Sequence, residues 1–144
     1  MDQIDYALGD NPPAGFVMKP LVTEVDKFYG PFYYGEGSET VVLGFRVKPR
    51  HLNSAGICHG GVLATFADLQ GSALKRHAGL KIVSPTISLS LDFLSPVQSG
   101  DWVEGYPELL KLSGKMLFFQ SVLKRGDDIV VRCNGIYKLI RDKA

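Results

Sequence analysis

The hydrophobic and polar residues of the chain alternate most regularly between positions 83 and 94. One side of this segment is polar and the other is apolar: Ser84, Thr86, Ser88, Ser90 and Asp92 against Val83, Ile87, Leu89, Leu91 and Phe93. Alternation with a period of two predicts a β-strand with one buried face. Three further strand-like segments, at 102–112, 116–125 and 129–140, are separated by turns that contain glycine.

A helical period of apolar residues occurs between about residues 61 and 78. The residues that recur at spacings of three or four are Val62, Phe66, Leu69 and Ala73, and Gly79 follows the last turn. Upstream, residues 40–47 predict a strand, and the aromatic segment 28–34 is a candidate for an earlier one. One long helix before a run of four strands predicts an α+β fold, in which an antiparallel sheet wraps around a central helix.

The length and composition of the chain favour a single domain. With 144 residues, of which 45% are hydrophobic, the chain can bury a sizeable core and is too apolar to be disordered. Residues 1–15, which include the turn-forming run 11–15, predict a loose or extended lead-in to one domain at 16–144.

Charge and targeting signals argue against several classes of function. The formal net charge is +1, from 16 basic and 15 acidic residues, so no overall charge attracts nucleic acid or an anionic membrane. No apolar stretch approaches the roughly 20 residues of a membrane-spanning helix, and the acidic start lacks the form of a signal peptide. We therefore expect a cytoplasmic protein, in which Cys58 and Cys133 stay reduced.

Two glycines, Gly60 and Gly61, stand where the predicted helix begins. The first backbone N–H groups of a helix have no intrahelical partner and carry the positive end of the helix dipole. Without side chains at these positions, an oxygen of another molecule can approach those N–H groups closely. The segment can therefore hold a carbonyl oxygen while it becomes an oxyanion, although a glycine pair before a helix also occurs as a simple turn.

Asp68 is a carboxylate in the middle of the predicted helix. Asp in such a position usually lies on a solvated face. The residues one turn away are small and weakly polar, whereas a solvated face would normally carry Lys, Glu or Gln: they are Ala64, Thr65, Gly71 and Ser72. This pattern favours a helix face that another part of the assembly approaches closely.

The spacing of His59 and Asp68 places them on opposite sides of the helix. Nine positions separate them, which corresponds to roughly 13 Å along the axis and about half a revolution beyond whole turns. The two residues therefore cannot act on the same bond within one chain. If both are functional, the sequence predicts a symmetric dimer whose sites combine residues from two subunits.

The pattern Asn53-x-x-Gly56-x-x-His59-Gly60-Gly61, followed by Asp68, resembles the signature of hotdog-fold acyl-CoA thioesterases of the phenylacetate-pathway (PaaI-type) group. The resemblance extends over roughly residues 15 to 140. Residues 93–101 resemble a strand end and turn that many hotdog proteins share, dehydratases included. The hotdog fold of this family agrees with the sheet and central helix predicted above.

The resemblance implies hydrolysis of an acyl-CoA thioester without a cofactor. The N–H of Gly60, with Gly61, would hold the thioester oxygen as negative charge develops. Asp68 of the partner subunit would act as nucleophile or as general base toward water. Thr86 aligns with a hydroxyl residue that the family places near the catalytic carboxylate.

Further roles follow from the same resemblance. Asn53 would orient the water or the acyl group, and His59 would brace the loop or polarise the carbonyl, although a lone His before glycines is more often structural. Ser113-Gly114-Lys115 resembles a segment that lines the nucleotide path, so Gly114 and Lys115 are candidates for binding the CoA phosphates. Leu63, Phe66 and the aromatic segment 28–34 are candidates for the acyl pocket or for ordinary core packing.

Two other chemical interpretations of the motif are weak. Cys58 and His59 are adjacent, whereas the partners of a Cys–His nucleophile usually come from distant parts of a chain. A metal site made of His51, Cys58 and His59 fits no tetrahedral template, so no metal is expected.

Alternative functions within the fold stay open. A non-catalytic acyl-CoA-binding protein would keep the CoA path without needing Asp68, and hotdog hydratases pair a His with a carboxylate on a different motif. The expected assembly is a homodimer or a tetramer of two dimers, with sites at the subunit interface. The sequence does not reveal the length or the aromatic character of the acyl group.

Overall fold

The structure, a computed structural model, describes residues 3–36 and 40–141. Over these residues the chain forms three α-helices and seven β-strands, with a 3-10 turn at Pro49–His51. In chain order they are α1 (Gln3–Tyr6), β1 (Phe16–Met18), α2 (Glu24–Tyr29), β2 (Tyr33–Gly35), β3 (Leu43–Arg46), α3 (Gly60–His77), β4 (Thr86–Phe93), β5 (Trp102–Leu112), β6 (Met116–Arg125) and β7 (Asp128–Lys138).

The seven strands form one antiparallel sheet in the order β1-β2-β3-β5-β6-β7-β4. Helix α3 packs against β4, β5, β6 and β7. The aromatic ring of Phe66 on α3 lies in the centre of the core, where it stacks on Phe32 and contacts Phe45. The predicted fold class, an antiparallel sheet around one long helix, is confirmed.

The predicted bounds of β5 and β6 agree with the structure, and α3 begins one residue before its predicted start. The aromatic segment 28–34 instead divides between the end of α2 and the start of β2. Helix α2 begins after Thr23, which forms a capping box with Asp26. The Thr-x-x-Asp spacing was the available signal for this short helix.

Residues 3–15, within the segment that the sequence predicts as a loose or extended lead-in, contain a short helix and contacts with the sheet. They include helix α1, and Asp10 is buried against the sheet. The Asp10 carboxylate forms an ion pair with Lys48 at 2.6 Å and accepts a hydrogen bond of 2.6 Å from the Tyr33 hydroxyl. Arg46 donates to the backbone oxygens of Asp10 and Asn11. These contacts attach the segment to β2 and β3.

Strand β4 ends the described sheet and pairs with β7 along one side only. A β-bulge shifts its register, so that Thr86 pairs with Tyr137 and Ser88 pairs with Ile136. Cross-strand neighbours point to the same face, and Tyr137 is buried toward α3. The bulge therefore turns Thr86 toward α3, whereas strict alternation had grouped it with the polar serines.

A buried carboxamide on α3 fixes how the helix lies on the sheet. Gln70 is fully buried; its Nε2 donates to the Phe66 carbonyl at 3.0 Å and its Oε1 accepts from the Ser121 hydroxyl at 3.2 Å. Gly105 on β5 makes room for it, since a Cβ there would come within 2.5 Å of the Gln70 Cδ. The helix can thus approach β5 only where the strand has no side chain.

We expect Gly105→Ala to lower the free energy of unfolding by about 1–3 kcal/mol, because the added methyl overlaps the buried Gln70 carboxamide, which can move aside only by losing its hydrogen bonds to Phe66 and Ser121. Urea unfolding measures this loss. Gly114→Ala is the control, since a Cβ at Gly114 meets no atom within 4 Å. Equal stability of the two variants would contradict the packing described here.

Candidate active site

The loop before α3 is held by its own polar groups. Asn53 Oδ1 accepts backbone hydrogen bonds from Ala55 at 2.9 Å and from Ile57 at 3.3 Å. The carbonyl of His51 accepts the N–H of His59 at 2.8 Å. These bonds bring the two ends of the loop together and present residues 53–60 as one compact turn.

His51 anchors this loop from inside the core. Its Nδ1 accepts the backbone N–H of Lys48 at 3.0 Å, and its ring packs edge-on against Phe45. Burial lowers the pKa of His51 to about 4, and the positive charges of Arg50 and Lys48 act in the same direction. The imidazole is therefore neutral near neutral pH, where Nδ1 serves as an acceptor.

His59 caps the first turn of α3. Its Nδ1 accepts the N–H of Gly61 at 2.8 Å, which requires the ring proton to be on Nε2. A Cβ at Gly61 would stand 3.0 Å from this Nδ1, so glycine lets the ring approach. The cap occupies the Gly61 N–H, whereas no acceptor in the described part of the chain takes the Gly60 N–H.

An apolar cavity of about 350 Å³ opens beside Gly60. Its lining comes from the loop, from the start of α3 and from the segment after β4: Asn53, Ile57, Cys58, Gly60, Leu63, Phe93, Leu94, Ser95, Pro96 and Val97. Phe93 is 55% exposed and lies 3.5 Å from the position of a Cβ at Gly60. Of the residues predicted for the acyl pocket, Leu63 lines this cavity, Phe66 is in the core, and the segment 28–34 contributes nothing to the lining.

Asp68 lies two turns further along α3, next to the start of β4. The hydroxyl of Thr86 donates to Asp68 Oδ1 at 2.7 Å, and the hydroxyl of Tyr137 donates to the Asp68 backbone carbonyl. The β4 bulge makes the first contact possible, because it turns Thr86 toward the helix. Sequence reasoning missed Tyr137, which stands 69 positions after Asp68.

The candidate site residues on and around α3 form two separate groups within one chain. One group lies at the N-terminus of α3, near the end of β4, and consists of Asn53, His59 and Gly60. The other lies near the beginning of β4 and consists of Asp68 and Thr86. Gly60 and Asp68 are eight positions apart on one continuous helix, roughly 12 Å along its axis. The two groups therefore do not meet within one chain, and their roles remain a prediction.

The predicted nucleotide-binding residues lie at the β5–β6 turn. Gly114 and Lys115 are exposed there, and the Ser113 hydroxyl accepts the N–H of Met116 at 3.0 Å. Arg141, which the sequence did not single out, donates to the Gly114 carbonyl at 2.8 Å and adds a second cation. This turn lies at the end of the sheet that carries Thr86, since Leu117 and Thr86 both pair with Tyr137.

The cysteines are not poised for catalysis. Burial raises the pKa of the Cys58 thiol to about 12 and that of Cys133 to about 11, so both are protonated near neutral pH.

Within residues 3–36 and 40–141, no group of three or more His, Cys, Asp or Glu residues is arranged to hold a metal ion. None of the helices in those ranges is long and apolar enough to cross a membrane.

Comparison with known sequences gives a family. The model of the thioesterase superfamily matches residues 55–132, which include Gly60, Asp68 and Thr86. A candidate esterase from Pseudomonas aeruginosa is 30% identical over 133 residues, which cover 90% of this chain and 98% of that protein. A candidate esterase from Caenorhabditis elegans is 30% identical over 96 residues, 65% of this chain and 55% of that protein.

Solved structures share the fold. A hypothetical thioesterase from Streptococcus pneumoniae with coenzyme A superposes with a TM-score of 0.67 at 17% identity, covering 78% of this chain and 91% of that one. The PaaI protein from the phenylacetic acid degradation operon of Escherichia coli gives 0.62 at 20% identity, covering 72% and 74%. The family model thus confirms the predicted thioesterase superfamily, and the solved structures, the PaaI protein among them, confirm the predicted hotdog fold.

Stability should fall in mild acid because of His51. The folded-state pKa lies below the ordinary value of 6.5, so between about pH 6.5 and pH 4 the unfolded chain binds a proton that the folded chain does not. We expect the free energy of unfolding to drop by about 2 kcal/mol between about pH 7 and pH 5 from this residue alone.

Urea unfolding at the two pH values measures the effect, with His51→Asn as the test variant because Asn retains an acceptor for the Lys48 N–H. This variant should lose most of the His51 contribution to the pH dependence. His77→Asn, at the exposed end of α3, should keep it. Identical pH dependence of His51→Asn and the wild type would contradict the assignment.

Proposed function

The chain belongs to the thioesterase superfamily, and we propose that it is an acyl-CoA thioesterase whose active sites each combine residues of two subunits. The reaction would convert an acyl-CoA and water into a carboxylic acid and free CoA. The observation that carries the proposal is the pair of half-sites: an available N–H at Gly60 beside an apolar cavity, and a carboxylate at Asp68 held by Thr86.

The Gly60 half-site would bind the thioester carbonyl. The Gly60 N–H lies at the positive end of the α3 dipole, and His59 already takes the neighbouring N–H of Gly61. An oxygen that becomes negatively charged in the tetrahedral intermediate gains most from such a fixed donor. The apolar cavity beside Gly60 would take the acyl group, with Phe93 and Leu63 among its walls.

The Asp68 half-site would supply the attacking group. Thr86 donates to Oδ1, which leaves Oδ2 to remove a proton from water or to attack the carbonyl carbon itself. In either case the tetrahedral intermediate collapses by breaking the C–S bond, and CoA leaves as the thiolate. If Asp68 is the nucleophile, water then hydrolyses the resulting anhydride.

The exposed edge of β4 suggests how two subunits would join the half-sites. Antiparallel pairing of two copies of β4 about a two-fold axis near the middle of the strand would bring its beginning, with Thr86, close to the end of the other copy, with Phe93 of the partner subunit. Thr86 contacts Asp68 and Phe93 lies beside Gly60, so Asp68 of one subunit would approach Gly60 of the partner subunit. Such pairing would also cover Ile87, which is 53% exposed.

The CoA nucleotide would lie against the β5–β6 turn. Lys115 and Arg141 supply two cations there, and the backbone of Gly114 presents no side chain to a phosphate. The hypothetical thioesterase of Streptococcus pneumoniae, which shares the fold, contains coenzyme A, and this supports CoA as the ligand. A further pairing of dimers into a tetramer is part of the same proposal.

Asp68→Asn should reduce kcat for acyl-CoA hydrolysis by roughly 10²- to 10⁴-fold with little change in KM, because the amide neither attacks nor takes a proton. The measurement is chromatographic release of CoA from a panel of short, medium, long and aromatic acyl-CoAs. Asp92→Asn is the matched control. Asp92 lies on the outer face of β4, the strand that carries Thr86, and its carboxylate pairs with Arg132. Full activity of Asp68→Asn would overturn the proposed role.

Composite sites predict complementation between two inactive variants. Gly60→Pro removes the N–H yet keeps the helix, because proline is tolerated at the first helical position. In a heterodimer of Gly60→Pro and Asp68→Asn, one of the two sites has both groups intact. After random subunit exchange we expect about a quarter of wild-type activity, since half of the dimers are mixed. Activity no higher than that of either variant alone would argue against shared sites.

A further inference from the structure

Tyr137 on β7 contacts the turn of α3 that carries Asp68. Its side chain is 2% exposed, and its hydroxyl donates to the backbone carbonyl of Asp68, with the Ser72 hydroxyl 3.5 Å away. In a regular α-helix this carbonyl accepts the N–H four residues later, which is that of Ser72. Tyr137 therefore adds a second donor from the sheet to a turn of the helix.

Gly71 explains how the ring comes so close. A Cβ at this position would stand 2.6 Å from Cζ of Tyr137 and 2.7 Å from Cε1 of Phe119. Any side chain at Gly71 would force these two rings away from the helix backbone. Glycine is a poor helix former, so its presence in the middle of α3 indicates that the close approach of Tyr137 outweighs the loss of helix propensity.

The same strand pair also holds the carboxylate. Thr86 on β4 is the cross-strand partner of Tyr137 on β7, and its hydroxyl donates to Asp68 Oδ1 at 2.7 Å. Asp68 is thus fixed at two points by adjacent residues of one ladder, at its backbone carbonyl and at its side chain. A shift of α3 relative to this ladder would alter both contacts together.

We infer that Tyr137, packed on Gly71, is a positioning residue that sets where the Asp68 carboxylate stands relative to Thr86 and the substrate, an inference that rests on the proposed function. Tyr137 itself does not touch the reacting atoms and acts only through Asp68. Burial raises its pKa, so the hydroxyl remains a hydrogen-bond donor throughout the working pH range. A displaced carboxylate would bind substrate equally well and react with it more slowly.

The test is Tyr137→Phe, which keeps the ring on Gly71 and removes the hydroxyl. We expect kcat to fall about tenfold, with KM within about twofold of wild type. Tyr33→Phe is the matched control, because it removes a buried hydroxyl that donates to Asp10 at 2.6 Å, away from Asp68. It should lower the melting temperature and leave kcat unchanged.

A double-variant cycle separates positioning from general structural damage. If Tyr137 acts through Asp68, Tyr137→Phe should cause no further loss of kcat in the Asp68→Asn background. Equal losses in both backgrounds, or wild-type kcat for Tyr137→Phe, would overturn the inference. Gly71→Ala displaces the Tyr137 ring and should likewise lower kcat while leaving KM nearly unchanged. This variant tests the positioning role if Tyr137→Phe does not fold.

The outcome also distinguishes this inference from the proposed function. If the wild type hydrolyses no acyl-CoA, or if Asp68→Asn is fully active, the proposed function fails, and the positioning role fails with it. If Asp68→Asn is slow and Tyr137→Phe is as fast as wild type, only the positioning role is refuted.

Discussion

The fixed rise per residue of helix α3 determines how far apart the candidate catalytic residues lie. Gly60 and Asp68 both belong to α3, and a helix keeps residues eight positions apart roughly 12 Å from each other. No rotation of a side chain closes that distance. Gly60 and Asp68 therefore each have their own set of neighbours, and the edge strand β4 reaches from one set to the other.

Buried hydrogen bonds and two glycines together determine how α3 lies on the sheet. An apolar helix face alone would tolerate small rotations, because the hydrophobic effect has no direction. Gln70 and Tyr137 supply directional bonds, and each depends on a glycine: Gly105 lies opposite the carboxamide and Gly71 lies under the ring. These four residues specify one orientation, and that orientation places Asp68 against Thr86.

Local signals predicted the elements that local interactions determine. The bounds of β5 and β6 followed from strand-like runs between turns that contain glycine, and the separation of His59 from Asp68 followed from helix geometry. The direction of the Thr86 side chain did not follow from alternation, because the bulge that turns it toward α3 arises from pairing with β7. The burial of Asp10 depends on Lys48, and the need for Gly71 depends on Tyr137; both partners are too distant in sequence for any pattern to connect them.

The order of strands in the sheet affects how the chain folds during synthesis. β4 pairs with β7, the last strand among the described residues, although about 35 residues lie between them. A growing polypeptide thus exposes β4 without its neighbour until β7 has left the ribosome, and such late, non-local pairing slows folding. Thr86, Tyr137 and Asp68 come together only when β7 pairs, so a chain that stops short of β7 lacks this cluster and also loses the core residues Val130, Val131 and Cys133.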